Sequence, residues 1–143
     1  MNTTNKPKVA YWIIAIIALI WNAMGVMAYI GQAYMTDDAK ALLPEAQREL
    51  YENVPAWATA AFAIAVFGGL IGSLALIMKK KWAIPVFLLS LLGVLVQMVY
   101  NFFLSNNMDV YGPVGYIMPI MVIVIAIFLY MYSKKAKTNG WLN

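Results

Sequence analysis

Asn22, Gly25, Tyr29 and Gln32 recur at alternating three- and four-residue steps inside a long apolar stretch. That spacing puts side chains on one face of a helix. A second apolar stretch carries Ser90, Gly93, Gln97 and Tyr100 in the same rhythm, with Asn101 beside Tyr100. Amides and phenols hydrogen-bond without carrying charge, so this set suits a small neutral polar solute such as a sugar. Ring faces at Trp21, Tyr29, Trp57 and Tyr100 can stack on a sugar ring. The candidate substrate-binding set is therefore Asn22, Tyr29, Gln32, Gln97, Tyr100, Asn101 and Trp57, with Glu52 at the mouth. The competing account is structural. An amide in lipid seeks a partner on a neighbouring helix, and such bonds contribute about 0.6 to 2 kcal/mol.

Other chemistry is excluded by what the chain lacks. It has no Cys and no His, which removes disulfides, thiol redox, most transition-metal sites and the usual neutral-pH proton carrier. No nucleophile–base pair and no acid lies within the apolar stretches, so no enzyme activity, metal or other cofactor is expected. A proton-coupled process would have to use Glu52 or Asp109 at the mouth.

These residues need elements to position them, and the composition says which. Of 143 residues, 64% are hydrophobic and 11% charged, with a mean hydropathy of +0.74. A soluble domain of this size could not hide that much apolar surface. Four uncharged stretches, Val9–Tyr34, Ala56–Met78, Trp82–Leu104 and Val114–Tyr132, are near or above the roughly 20 residues that a spanning helix needs. Continuous rather than alternating hydrophobicity favours helices over a barrel. The expectation is one domain over residues 1–143, an all-α integral membrane four-helix bundle. The first segment is too long for a signal-peptide core and reads as a retained helix.

The charges predict orientation. Lys6, Lys8, Lys79, Lys80, Lys81, Lys134, Lys135 and Lys137 occupy the two ends and the link between spans 2 and 3, with no acid among them. Asp37, Asp38, Glu45, Glu49, Glu52 and Asp109 share the other two connections with Lys40 and Arg48. The positive-inside rule places both termini in the cytoplasm. Tyr11, Trp12, Trp82, Tyr130 and Tyr132 then form an inner aromatic belt, and Tyr34, Trp57, Tyr111 and Tyr116 an outer one. The net charge of +4 points to anionic lipid as partner rather than nucleic acid.

The connections carry their own signals. The Lys79-Lys80-Lys81 link is short enough to force spans 2 and 3 into an antiparallel hairpin. In the first outer loop Thr36 can cap a helix beginning at Asp37, and Pro44 can start another turn set. Leu43, Gln47, Leu50, Tyr51 and Val54 share a face there. This predicts a short amphipathic helix lying over the outer mouth, against the alternative of a solvated acidic cap. The second outer loop, SNNMDVYGPVG, is rich in turn residues.

Small residues predict contact between helices. Ala58, Ala61, Ala65, Gly68, Gly72 and Ala75 share one face of span 2, and Gly68-x-x-x-Gly72 and Gly69-x-x-x-Ser73 fit the small-xxx-small pattern. The packing set is Gly25, Ala61, Ala65, Gly68, Gly69, Gly72 and Gly93. Aligning Gly25 with Gly93 also aligns Asn22 with Ser90 and Val26 with Val94, the pattern that a parallel repeat would leave. Span 4 shows no stripe and reads as a lipid-facing wall. The polar faces of spans 1 and 3 leave two arrangements open. One is an outward-facing cleft between them, closed inside by Ala15, Ala18 and Val86; the other is direct hydrogen bonding between helices.

The segments WNAMGVMAY, LPEAQRELYENVPAW, FAIAVFGGLIG, KKKWAIPVFLLS and VQMVYNFF, with the terminal GWLN, resemble a group of small four-helix bacterial inner-membrane proteins. That group is mostly uncharacterised, and many members are automatically labelled sugar transporters. The resemblance covers nearly the whole chain. It implies a cytoplasmic-membrane location, a four-helix fold and transport of a neutral solute, and it assigns no functional residues. Four helices are few for an alternating-access path, so a homo-oligomer is expected. The alternative is a non-transporting accessory or scaffold subunit, offering the small-residue face of span 2 to a partner membrane protein. A further alternative is a lipid- or quinone-binding role.

Overall fold

A computed structural model describes residues 6–104 and 112–143. Helix α1 (Val9–Ala33) is followed by two short helices, α2 (Asp37–Ala41) and α3 (Glu45–Glu52). Helix α4 (Ala56–Ile77) turns at the lysine link into α5 (Ala83–Val99), which runs on through a π turn at Tyr100–Leu104. A 3₁₀ turn at Gly112–Tyr116 leads into α6 (Ile117–Thr138). No strand occurs among the described residues. Asp109, Tyr111 and most of the second loop lie outside them.

Helices α1, α4, α5 with its π turn, and α6 are each long and apolar enough to cross a membrane. Their outward faces carry exposed Ile13, Ile16, Ile17, Leu88, Leu89, Leu92, Val124, Ile127 and Phe128, a surface suited to lipid rather than water. Helix α6 continues past Tyr132 to Thr138. Its last turns bring Lys135 and Lys137 to the helix C-terminus, where positive charge complements the dipole.

The loop after α1 holds two short helices, starting at the Thr36 cap and at Pro44, where the sequence places a helix start and a second turn set. Thr36 caps α2, its Oγ1 accepting from the Ala39 N–H at 3.1 Å, and Asp37 and Asp38 fill the first turn. The Arg48 guanidinium ties α3 back to α2 by donating to the carbonyls of Lys40 (3.2 Å) and Leu43 (3.1 Å). Leu43, Gln47, Leu50, Tyr51 and Val54 are half-buried, while Glu45, Glu49 and Glu52 are exposed.

Helix α4 lies between its neighbours. It packs against α1 on one flank and α5 on the other, and α6 packs on α5. Neither α1 with α5 nor α1 with α6 forms an interface of comparable extent. The helices converge at the end that carries the chain termini and the lysine link. There Tyr11, Leu76, Ala83, Phe87, Leu129, Ala136 and Leu142 share one buried cluster. Tyr11 is fully buried within the protein. Its hydroxyl donates to the Leu76 carbonyl in the last turn of α4, a region where helix carbonyls lack helical partners. Its ring meets Trp12, Tyr132 and Trp141 at centroid distances of 5.2, 6.2 and 5.7 Å.

The lysine link is pinned in two ways. Lys79 N–H bonds to Leu76 O at 2.9 Å and Lys80 N–H to Ala75 O at 2.8 Å, the paired bonds of a helix-ending αL turn. Asn143 then bridges the link, its N–H donating to Lys79 O and its carbonyl accepting from Lys81 N–H. Lys79 has φ of 57°, a conformation that glycine adopts without strain and other residues do not. Lys79→Gly is therefore expected to stabilise the protein by about 1 kcal/mol, the relieved strain being only partly offset by the freer unfolded chain. Denaturant unfolding in detergent measures this, and a loss of stability would contradict it.

Candidate functional site

The adjacent glycines of α4 explain how both polar faces are held. Gly68 and Gly69 point about 100° apart around the helix, so each meets a different neighbour. A Cβ on Gly68 would lie 3.1 Å from Ser90 Cβ, and one on Gly69 would lie 2.0 Å from Asn22 Oδ1. Helix α4 thus takes Ser90 of α5 on one side and Asn22 of α1 on the other. Asn22 Nδ2 donates to the Ala18 carbonyl at 2.9 Å and to Ser73 Oγ at 3.2 Å. Ser73 Oγ in turn donates to Gly69 O at 2.7 Å, and Ser90 Oγ donates to Ala65 O at 2.6 Å. Asn22, Ser73 and Ser90 are all buried, and each has a bonded partner, as buried polar groups require.

The polar faces of α1 and α5 are therefore not zipped to each other. Both dock on α4, and the corresponding residues do it: Asn22 and Gly25 from α1, Ser90 and Gly93 from α5. Gly25 lies against Val66, and Gly93 against the backbone of Ala61 and Ala65. All six small residues of the α4 stripe, Ala58 to Ala75, are buried.

A cavity of about 340 Å³ opens beyond this contact. Helix α4 provides Phe62, Ala65, Val66 and Gly69. Helix α1 contributes Trp21, Asn22, Met24, Gly25 and Ala28. Helix α5 adds Phe87, Ser90, Val94, Gln97, Met98 and Asn101, the last carried on the π turn. Helix α6 supplies Met118, Pro119, Val122, Ile125, Ala126 and Leu129. The cavity runs from mid-helix toward the loop end. Below it, Phe87 packs on Gly72, where an added Cβ would approach the ring to 2.8 Å.

The sequence-derived candidates divide. Asn22, Gln97 and Asn101 line the cavity. Tyr29, Gln32, Tyr100, Trp57 and Glu52 do not. Tyr29 is spent on edge contacts with Phe62 and Phe67, at 5.5 and 5.7 Å between centroids. Trp57 and Tyr100 meet edge-on at 5.8 Å. Gln32 is half-buried on α1, and Glu52 is exposed on α3. Neither α2 nor α3 contributes a residue to the cavity, so no loop helix forms its wall. The face of α5 is also rotated from the expected one. Phe87 and Met98 are buried where Val86 and Tyr100 are half-buried and Leu104 is exposed.

The fourth span departs most from expectation. It is not only a lipid-facing wall, because one face lines the cavity and the terminal-end core. Pro119, Val122, Ala126, Leu129, Ser133 and Ala136 follow three- and four-residue steps, and Pro119, Leu129, Ser133 and Ala136 are buried. The signal was present in Ala126, Ser133 and Ala136, small residues on one line of an otherwise bulky helix.

Among the described residues the lining contains no charged side chain. Asn22 and Ser90 already hold partners within the protein. The Gln97 amide lines the cavity without a hydrogen bond to another described residue. The arrangement can surround a small uncharged molecule and offer it a few directed hydrogen bonds, and its described lining residues include no group for proton transfer. No family model matches the chain, and no curated protein or solved structure matches it.

Proposed function

We propose that the protein is a multi-pass carrier or facilitator in the cytoplasmic membrane that holds a small neutral molecule in the cavity between α1, α4, α5 and α6. The observation that carries this is a space of about 340 Å³ between four helices, lined among the described residues by uncharged side chains with an amide at its wall. Spaces of this size suit small-molecule ligands. The family resemblance, with its transporter label, agrees. An orientation with both termini in the cytoplasm follows from the lysines, which gather at the terminal end while the acids lie in the loops.

An accessory role has less support. The small-residue face of α4, which would serve to dock another membrane protein, is covered by α1 and α5 of the same chain. Four spans leave little material for an alternating path, which favours a second copy as partner.

Uptake of labelled neutral solutes into proteoliposomes tests the reading. Uptake should saturate, and Gln97→Leu, which removes a lining amide that has no hydrogen bond to another described residue, should reduce it about tenfold through loss of one hydrogen bond. Absence of uptake together with stable co-purification of a larger membrane protein would favour the accessory role. Reporters fused to both ends should register in the cytoplasm; either one registering outside overturns the orientation.

A further inference from the structure

Resting on that reading of the cavity as a binding site, we infer that its ligand is a neutral amphiphile that arrives sideways from the bilayer, through the gap between α1 and α6. The helices pack in the order α1 on α4, α4 on α5, α5 on α6, and the ring of contacts does not close. At the terminal end Tyr11 bridges the two outer helices through Tyr132. Farther along, the cavity occupies the space between them, with Met24 of α1 and Met118 of α6 at its edges. These two are 59% and 58% exposed. Unbranched, polarisable thioethers adapt to ligands of varied shape, and both spans face lipid on their remaining surface.

The wall chemistry selects the ligand class. Its polar side chains among the described residues are few, and the donors at mid-helix are committed: Asn22 Nδ2 to Ala18 O and Ser73 Oγ, Ser90 Oγ to Ala65 O. The uncommitted amide is Gln97, toward the loop end. A polyol entering this space would lose its water at every hydroxyl and regain only one or two partners, a loss that buried hydroxyls do not tolerate. A molecule with one hydrogen-bonding head and an apolar body has the matching distribution. Its head reaches Gln97, its body lies against Phe62, Val94 and Val122, and any tail stays in the bilayer through the open side.

The test uses the full chain in lipid nanodiscs, with decylubiquinone as the amphiphilic probe and glucose as the polyol. Quenching or change of tryptophan fluorescence is read against a Trp21→Phe variant, which isolates the cavity tryptophan. Decylubiquinone should give saturable quenching that disappears in Trp21→Phe and weakens about tenfold in Gln97→Leu, while glucose gives no saturable signal in equilibrium dialysis. Ala126→Phe, which fills the cavity, should abolish the signal; Gln97→Leu keeps the test decisive if that larger change fails to fold. Saturable glucose binding that Gln97→Leu weakens, with decylubiquinone only partitioning linearly, overturns the amphiphile while leaving the cavity as a binding site. Linear partitioning of decylubiquinone and no glucose binding overturns both.

Discussion

Gly93→Ala should lower the unfolding free energy by about 2–3 kcal/mol, although it adds one methyl group to a residue inside a helix. On helix propensity alone the change would stabilise by about 1 kcal/mol. Packing reverses the sign. The new Cβ would stand 2.9 Å from both Ala61 O and Ala65 N, and 3.0 Å from Ile64 Cγ2. Two of those three atoms belong to the α4 backbone, so no rotamer change makes room. The helices must separate, and separation strains the Ser90 hydrogen bond to Ala65 O, one turn along the same seam. Gly31→Ala is the control, because nothing lies within 4 Å of its added Cβ; it should be neutral or slightly stabilising. Reversible unfolding in mixed detergent gives both values. If the two substitutions behave alike, close backbone approach is not what holds α4 to α5.

That contrast also shows what a sequence can carry. Gly31 and Gly93 are both glycines inside apolar helices, and only their neighbours differ. The α4 face was legible because six small residues fall on one line, and each of them is buried. The four apolar spans and the Thr36 cap were legible for the same kind of reason, a local pattern with a local cause. Partner choice was not. Asn22 and Ser90 declare that they will hydrogen-bond, but an amide on a helix reads the same whether Ser73, another helix or a ligand receives it. The cleft expected between α1 and α5 is therefore relocated: α4 fills the place between those two helices, and the cavity opens toward α6. Nor could the inner face of α6 be seen by hydrophobicity, because a side chain such as Val122 suits a cavity wall and a lipid surface equally. The burial of Tyr11 was not legible either, since an interfacial tyrosine reads the same in sequence and only the end of α4 reveals its acceptor.

The second large effect is a coupling rather than a single cost. Gly69→Ala places a methyl 2.0 Å from Asn22 Oδ1 and 2.6 Å from Asn22 Cγ. The Asn22 side chain has to leave, abandoning its bonds to Ala18 O and Ser73. A displaced amide either finds a new partner in the cavity or stays unsatisfied, so a cost of about 2–3 kcal/mol is expected. Asn22→Ala alone should cost about 1–2 kcal/mol, because both bonds vanish and a small void opens beside Gly69. In the double variant the alanine at 69 fills the space that Asn22 vacated, and no amide remains to be displaced. The two costs should therefore fall short of additivity by about 1–3 kcal/mol, the range seen for residues in direct contact. Additive costs would mean that Asn22 does not rest on Gly69. Coupling would place this amide in the α1–α4 seam first and at the cavity wall second. Asn22→Leu would then impair ligand binding through the seam, whereas Gln97→Leu would act on the ligand directly. Unfolding and ligand affinity measured on the same variants separate the two roles, because only the Asn22 changes should move both.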